Sequence, residues 1–286
     1  MHRDRPLAAI RQIAGGAVLA LICLLVAGAG AAQDCQGPCG ACETADGTYR
    51  IVLPDVAGAP SVILLHGARA DGAAMLRMRG VVATITGRGY AVIAPDGLGR
   101  EGRNGKFWSF RPDDTGRRDD AAFLHQVVDD AVLRHGIDPE RVILAGFSNG
   151  AFLTTAIACQ TPDAFAAYAP IGGGFWRPHP ERCAGPVRLL QTHGWSDGAV
   201  PLEGRRLGDG RYLQGDIVEG LALFRAANGC ETPAPTFYTK SGQFLRRAWA
   251  CAPDSALEFA LHPGGHSVPE GWADLMLDWF EALPRD

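Results

Sequence analysis

Short apolar runs recur along the chain and are separated by longer segments of mixed polarity. The runs lack the alternation of a half-exposed strand, so they predict strands that are buried on both faces, as in parallel sheets. They cover residues 61–66, 90–95, 142–145, 187–193 and 257–261. Residues 48–53 alternate instead, and they predict an opening strand that is covered on one face.

The segments between these runs show the apolar spacing of amphipathic helices. Helices are predicted over residues 73–88, 117–134, 151–158, 216–227 and 272–283. Loops are predicted over the polar residues 98–116 and the glycine-rich and arginine-rich residues 199–214. Because strands alternate with helices, the expected fold class is α/β, with a mostly parallel sheet and helices on both of its faces. We find no linker or repeat, so residues 48–286 are expected to form a single domain.

The strand predicted at 142–145 runs into a sharp turn with a serine at its apex. Gly146, Ser148 and Gly150 form the pattern G-x-S-x-G between a predicted strand and a predicted helix. This arrangement is typical of the nucleophile elbow of α/β-hydrolases. Glycine at both positions removes the Cβ atoms that would clash where the strand and the helix approach each other. We therefore predict an α/β-hydrolase fold, with Ser148 as a nucleophile whose hydroxyl is exposed.

Two backbone N–H groups are candidates for an oxyanion hole. That of Asn149 follows the serine at the start of the helix, where the helix dipole favours negative charge. That of Ala68 follows the strand 61–66, in the H-G-A segment where α/β-hydrolases place a second donor. We expect His66 to shape this loop through hydrogen bonds rather than to take part in catalysis.

An acid and a histidine are expected to follow the serine, in that order, on loops after later strands. Asp197 follows the fourth apolar run and His266 follows the fifth. His266 would accept the proton of Ser148, and Asp197 would orient the imidazole. Two alternatives are open: Asp197 as an ordinary turn residue in S-D-G, and His262 in place of His266. We favour His266 because two preceding glycines give it the freedom to reach the elbow, whereas His262 directly ends a strand.

Four aromatic residues lie on loops that follow predicted strands, namely Trp108, Phe110, Trp176 and Trp195. The carboxyl ends of the strands are where open α/β sheets bind their ligands. We expect these residues to line a substrate pocket, and simple cover for the core is the alternative.

Residues 1–32 have a composition of their own. Three arginines precede a short apolar stretch and a cluster of small residues, which is the layout of a secretory signal peptide. A transmembrane anchor is the alternative, but the apolar stretch is short for a span. We expect cleavage after Ala31 or Ala32 and a secreted or periplasmic protein that does not contact the membrane after cleavage.

The net charge of the chain argues against nucleic acid as a partner, and the spacing of its histidines argues against a bound metal. The chain has 27 basic and 31 acidic residues. Residues 1–32 hold three of the basic residues and one of the acidic residues. The mature chain therefore has 24 basic and 30 acidic residues and a net charge of −6, which offers no basic surface to nucleic acid. His66, His193 and His266 lie on different loops without the spacing of metal ligands, so we expect no metal and no cofactor.

Seven of the eight cysteines follow the predicted signal peptide, and export permits disulfide bonds. Cys35, Cys39 and Cys42 have the spacing C-x3-C-x2-C, which also occurs in radical iron–sulfur enzymes. The position beside a predicted cleavage site in an exported chain favours a local disulfide in an N-terminal hook, residues 33–47. The pairing of the three cysteines stays open.

Several segments, taken together, resemble one family. They are L-L-H-G at 64–67, A-G-F-S-N-G-A at 145–151, P-D-A-F-A-A-Y-A-P-I-G-G-G at 162–174, H-G-W-S-D at 193–197 and P-G-G-H at 263–266. In this order they resemble the polyhydroxybutyrate depolymerase and feruloyl esterase group of secreted α/β-hydrolases, over most of residues 48–282. The chain departs from that group after the H-G of the first motif, where it has A-R-A-D and the family often has cysteine.

The resemblance implies a catalytic triad of Ser148, Asp197 and His266. It also implies two disulfide bonds, Cys159–Cys183 and Cys230–Cys251. The function it implies is that of a serine esterase that hydrolyses short-chain or hydroxyacyl esters.

Two other functions are compatible with the same residues. A feruloyl or acetyl-xylan type esterase is the alternative within the enzyme class. An exported binding protein without turnover is a third possibility, which the complete set of serine, acid and histidine disfavours. We expect a monomer whose partner is a small or oligomeric ester. Because no linker to a second module is evident, soluble esters rather than crystalline polymer are the expected substrates.

Overall fold

A ten-stranded sheet runs through the described part of the chain. The computed structural model describes residue 35, residues 40–111, residue 114 and residues 117–284. All of these lie in one compact unit, which spans residues 32–286. The predicted signal peptide, residues 1–32, lies outside the described residues. No helix in the described ranges combines the length and the apolar character that crossing a membrane requires.

Strands and helices alternate along most of the chain. The strands are β1 (Cys42–Glu43), β2 (Thr48–Val52), β3 (Ser61–Leu65), β4 (Ala91–Pro95), β5 (Leu98–Arg100), β6 (Arg103–Phe107), β7 (Val142–Phe147), β8 (Ala167–Ile171), β9 (Arg188–Gly194), β10 (Arg206–Leu207), β11 (Tyr212–Leu213), β12 (Phe237–Ser241), β13 (Phe244–Trp249) and β14 (Ala256–His262). The helices are α1 (Gly72–Leu76), α2 (Arg79–Gly87), α3 (Asp120–His135), α4 (Asn149–Gln160), α5 (Ile217–Ala227) and α6 (Trp272–Glu281). A 3-10 turn, Pro139–Arg141, precedes β7.

The large sheet has the strand order β1-β2-β4-β3-β7-β8-β9-β14-β13-β12. The strands from β4 to β14 in this order are parallel to one another, and the two strands at each edge are antiparallel to their neighbours. Every residue of β3, β4 and β8 is buried, as the continuous apolar runs predict. The expected α/β fold with a mostly parallel sheet is confirmed.

Helices cover both faces of this sheet, as predicted. Helices α3, α4 and α5 pack on one face, where Phe123 and Phe224 belong to the core. Helices α1, α2 and α6 pack on the other, where Ile85 and Trp272 are buried. Helix α4 is buried on nearly every side, whereas α3 buries one apolar stripe against the sheet and leaves its polar side to solvent.

The helix predicted over residues 73–88 is two helices. Met78 separates α1 from α2 with a ψ angle of 65°, which lies outside the helical range. Its side chain packs against the apolar core on that face of the sheet. Since residues 77–79 read R-M-R and contain no helix-breaking residue, tertiary packing rather than local propensity makes this break.

Three short antiparallel strand pairs were not predicted from the pattern of apolar residues. Strands β5 and β6 form a hairpin within the predicted loop 98–116, and β10 pairs with β11 within the predicted loop 199–214. Strands β12 and β13 form a hairpin at the sheet edge, where all five residues of β12 are exposed. Nearly all of these residues are exposed or only partly buried, so they carry little of the periodic burial on which the sequence prediction depends.

Three disulfide bonds are present in the described part of the chain. Cys159–Cys183 joins the end of α4 to the loop before β9, and Cys230–Cys251 closes the segment that holds the edge hairpin. These are the two pairs that the family resemblance implied. The third bond is Cys35–Cys42, whose pairing the sequence left open. It fastens the hook next to β1, which adds a short edge strand beside β2.

Candidate active site

Ser148 stands in the turn between β7 and α4 in a conformation that few side chains adopt. Its φ angle is 55° and its ψ angle is −112°. A non-glycine residue with positive φ carries a cost of about 1–3 kcal/mol, and such strain is concentrated at functional sites. A Cβ on Gly146 would lie 2.5 Å from the backbone of Gly150, and a Cβ on Gly150 would lie 2.6 Å from Leu65. The two glycines therefore make room for the helix and for the neighbouring strand β3.

The structure brings the three predicted catalytic side chains together from three separate loops. His266 Nε2 lies 2.8 Å from Ser148 Oγ, and His266 Nδ1 lies 2.7 Å from Asp197 Oδ2. Because a carboxylate only accepts hydrogen bonds, Nδ1 is assigned the proton, and Nε2 is left to accept the Ser148 O–H. The alternative histidine, His262, instead accepts the backbone N–H of Gly264 at 3.1 Å.

Asp197 is buried and is held by its own loop. Its Oδ1 accepts the backbone N–H groups of Ala199 and Val200 at 2.9 and 2.8 Å. Asp197 is thus a turn residue and the partner of His266 at once, so its two predicted roles are not exclusive. His193 completes the turn, because its Nε2–H donates to the carbonyl oxygen of Val200 at 2.7 Å. Burial lowers the pKa of His193, which keeps this imidazole neutral beside the carboxylate.

The segments that carry the two predicted oxyanion donors, Ala68 and Asn149, meet at the elbow. A Cβ on Gly67 would lie 3.5 Å from the Cβ of Ser148, so the loop after β3 passes directly beside the elbow. Neither the Ala68 N–H nor the Asn149 N–H donates to another described residue. Both groups are therefore available to a ligand oxygen, which is the property that an oxyanion hole requires.

His66 and Trp108 fix the loops behind these donors. His66 Nδ1–H donates to the carbonyl of Gly67 at 2.8 Å, and its Nε2 accepts the N–H of Gly97 at 2.9 Å. The indole N–H of Trp108 donates to the carbonyl of His66 at 2.9 Å, and the Trp108 backbone N–H donates to Asn149 Oδ1 at 2.8 Å. The side chain of His66 shapes the loop, as its sequence context predicted, and Trp108 connects that loop to the elbow.

A cavity of about 1330 Å³ lies alongside α4. Phe110 and Trp176, which the sequence assigned to the pocket, are among its lining residues. Trp108 and Trp195 are not. Trp108 is fully buried because its indole N–H is satisfied inside the protein, and Trp195 is 63% exposed on the outer surface. The sequence analysis missed Phe152, which also lines the cavity; its position four residues after Ser148 places both on one side of α4 and was a usable signal.

Known proteins match parts of this chain. Residues 77–174 match the model of the prolyl oligopeptidase family. The chain is 38% identical to poly(3-hydroxyalkanoate) depolymerase C of Paucimonas lemoignei over 129 residues, which are 45% of this chain and 30% of that protein. It is 28% identical over 240 residues to NocK of Nocardia uniformis subsp. tsuyamanensis, whose name assigns it provisionally to the esterases. That match covers 77% of this chain and 67% of the relative.

A solved structure gives the corresponding comparison of folds. Acetyl xylan esterase from Aspergillus awamori matches with a TM-score of 0.59 at 15% sequence identity, over 82% of this chain and 93% of that chain. The chain has the α/β-hydrolase fold and is similar to proteins named as esterases and depolymerases. It spans less than a third of the length of the depolymerase that it matches.

Within the described part of the chain, one group of side chains combines the residue types that bind metals. It consists of Cys35, Cys42 and His135. The two sulfur atoms are bonded to each other, and His135 Nε2 lies 3.7 Å and 3.9 Å from them. A disulfide sulfur is not the thiolate that coordinates metal ions. The two cysteines belong to the N-terminal hook and His135 ends α3, so the group shares no residue with the serine site.

The buried histidines make the stability of the protein depend on pH. His66 and His193 are fully buried, and burial lowers the pKa of both. Below a pH of about 6.5 these histidines take up protons in the unfolded chain but not in the folded one. Stability is therefore complete above that pH and falls as the pH drops towards the folded pKa values, by up to about 1.4 kcal/mol per pH unit for each histidine.

Urea unfolding at pH 7.5 and at pH 5.5 measures this effect. We expect a lower free energy of unfolding at pH 5.5. His193→Gln removes one titrating group, so the difference between the two pH values should shrink in that variant. Equal stability of the parent protein at both pH values would contradict the expectation.

Proposed function

We propose that this chain is a secreted serine esterase that hydrolyses short-chain or hydroxyacyl esters through an acyl-enzyme. The observation that carries the proposal is the hydrogen-bonded series Ser148–His266–Asp197 at a strained elbow. A serine in that setting beside two available N–H groups meets the geometric requirements of acyl transfer. The match with a protein named poly(3-hydroxyalkanoate) depolymerase C supports the hydroxyacyl class of substrate.

In the first half of the reaction, Ser148 Oγ attacks the carbonyl carbon of the ester. His266 Nε2 accepts the hydroxyl proton, and the electron pair of the carbonyl moves onto its oxygen. The N–H groups of Asn149 and Ala68 donate to that oxyanion. The bond to the alcohol oxygen then breaks, and His266 returns the proton to this leaving group.

In the second half, water attacks the acyl-enzyme by the same route. His266 accepts a proton from the water molecule, the tetrahedral intermediate again uses the two N–H donors, and Ser148 leaves with the proton. Asp197 keeps the imidazole in one tautomer throughout, and its negative charge stabilises the imidazolium that forms twice per turnover. No further group is required for proton balance.

Secretion is part of the proposal. Three disulfide bonds lie among the described residues, and disulfide bonds persist in oxidising compartments outside the cytosol. The composition of residues 1–32 gives a second, independent indication of export. The two observations agree on the compartment.

The choice of acyl group can be tested with a set of matched p-nitrophenyl esters. Butyryl and 3-hydroxybutyryl esters are expected to give kcat/KM values at least about tenfold above those of the feruloyl ester, because differences of one or two contacts in a pocket are worth about that factor. Assays with the Ser148→Ala variant correct for spontaneous hydrolysis. A faster reaction with the feruloyl ester would favour the alternative, a plant-wall esterase, for which the stacked Phe110 and Phe152 rings offer an aromatic wall.

A further inference from the structure

The lining of the cavity beside α4 includes Gly174, and a Cβ on the preceding Gly173 would lie 3.0 Å from the carbonyl oxygen of Ser148. Phe152 lines the cavity, and its N–H donates to the carbonyl of Ser148 at 3.1 Å. Ala156, Cys159 and Gln160 continue the lining along the same side of the helix. At a rise of about 1.5 Å per residue, this face of α4 extends the cavity for about 12 Å beyond Phe152.

The end of the cavity nearest the serine is aromatic. The ring centroids of Phe110 and Phe152 are 5.4 Å apart, and those of Phe152 and Trp176 are also 5.4 Å apart. Tyr212 continues this wall, with its ring 6.0 Å from that of Trp176. These apolar rings favour the carbon skeleton of a ligand close to the scissile bond.

Arginines surround the remainder of the cavity. Arg111, Arg177, Arg182 and Arg211 line it, against one acidic lining residue, Glu181. The chain as a whole carries a net charge of −4, so this positive excess is local to the cavity. A cavity with an excess of positive charge raises the local concentration of anionic ligands.

Two of these arginines are committed to acidic partners. The Arg111 guanidinium lies 3.5 Å from Asp114 Oδ1, and the Arg177 guanidinium lies 2.7 Å from Glu219 Oε2. Arg182 and Arg211 are exposed, and neither forms an ion pair with a described residue. Arg182 directly precedes Cys183, whose disulfide with Cys159 fastens that side of the cavity to α4. The position of Arg182 relative to the helix is therefore restrained.

We propose that this cavity binds the alcohol side of the ester substrate, and that Arg182 and Arg211 recognise a free carboxylate at the far end of that side. The proposal rests on the proposed esterase function and names its substrate class: linear oligoesters of hydroxy acids that end in a carboxylate. In such an oligomer the terminal carboxylate always belongs to the alcohol side of each ester bond. Guanidinium groups suit this partner because they donate two parallel hydrogen bonds to a carboxylate.

The chemistry of the step is that of the ester hydrolysis already described. The bond between the acyl carbon and the alcohol oxygen breaks, and His266 transfers the proton of Ser148 to that oxygen. The leaving group is a shorter hydroxy acid or oligomer that still carries its carboxylate. Water then releases the acyl part, so the reaction consumes one water molecule and needs no other reactant.

A pair of substrates with the same scissile bond isolates the carboxylate. The tetramer of 3-hydroxybutyric acid as the free acid is compared with the methyl ester of the same tetramer, and kcat and KM are measured for release of the first acyl unit, which leaves three units on the alcohol side. We expect the free acid to have a KM about fivefold lower or better, the factor that a single exposed ion pair supplies. Raising the ionic strength should reduce this preference, because salt screens exposed charges.

The variant Arg182→Gln/Arg211→Gln tests the assignment of the two arginines. The ratio of kcat/KM for the free acid to that for the methyl ester should fall to about one. Arg79→Gln is the matched control, because Arg79 is an exposed arginine on α2, on the opposite face of the sheet. That variant should retain the parent ratio and its salt dependence.

The outcomes separate this proposal from the function on which it rests. Equal KM values for the two substrates in the parent protein, or a preference that persists in the double variant, would overturn carboxylate recognition while leaving the esterase intact. If neither substrate is hydrolysed and a fluorophosphonate does not label the protein, the proposed function itself is wrong.

Discussion

Replacement of Ser148 by alanine is expected to lower kcat by a factor on the order of 10⁶, as for the serine of other triads. Ser148 Oγ is the atom 2.8 Å from His266 Nε2, and alanine leaves the histidine with no hydroxyl to activate. A fluorophosphonate probe should label the parent protein and fail to label Ser148→Ala. Hydrolysis of a short soluble ester, followed at pH 7.5, gives the matching rate.

Ser267→Ala is a suitable control for this experiment. Ser267 is exposed and directly follows His266 in the sequence, so it lies near the site without taking part in the hydrogen-bonded series. This variant should be labelled and active like the parent. Labelling of Ser148→Ala at the parent rate would mean that another residue is the nucleophile.

Asp197→Asn is expected to lower kcat by about 10⁴ while the fold is retained. The reason lies in the two oxygens of Asp197. Oδ1 accepts the N–H groups of Ala199 and Val200, so the oxygen of an asparagine must stay on that side. Its NH₂ group then faces His266 Nδ1 and requires that nitrogen to accept. The proton moves to Nε2, which can no longer take the proton of Ser148.

A melting curve, measured beside kcat, distinguishes this effect from unfolding. The melting temperature of Asp197→Asn should stay close to that of the parent, because the variant keeps both backbone hydrogen bonds. Asp163→Asn, an exposed aspartate that forms no ion pair among the described residues, should retain the parent kcat. A loss of less than about tenfold in Asp197→Asn would show that the carboxylate does not set the tautomer.

The strands that hold the site were predictable because they are buried on both faces. Strands β3, β4 and β7 each occur in the sequence as unbroken apolar runs, and such runs are typical of parallel strands that helices cover on both sides. The elbow was predictable for a related reason. Its two glycines are required by contacts of 2.5–2.6 Å that any Cβ would make, so a local sequence pattern records a tertiary constraint.

The edges and ribbons were not predictable in the same way. The β12–β13 hairpin has one fully exposed strand, and its pairing depends on the neighbouring strand β14 rather than on its own pattern. The β5–β6 hairpin is similar, because it rests on the loop that carries Ala68 through a hydrogen bond from the Arg69 N–H to the Lys106 carbonyl. Such segments obtain their conformation from what they pack against.

The four aromatic residues illustrate the limit of reading a site from position alone. All four follow predicted strands, yet Phe110 and Trp176 line the cavity while Trp108 and Trp195 do not. Position in the sequence predicts which end of the sheet a residue occupies. The direction of its side chain depends on hydrogen-bond partners such as the carbonyl of His66, which holds the indole of Trp108 inside.

The sequence by itself determined the α/β class and the order of the main strands and helices, and it singled out Ser148, Asp197 and His266 as candidates, because burial periodicity and chain order leave a local record. Only the tertiary structure decided which partners those side chains have. It gave the Cys35–Cys42 bond, the assignment of Asp197 as turn residue and histidine partner together, and the arginine-lined cavity beside α4. These features depend on residues far apart in the chain, and no local pattern encodes the contacts between them.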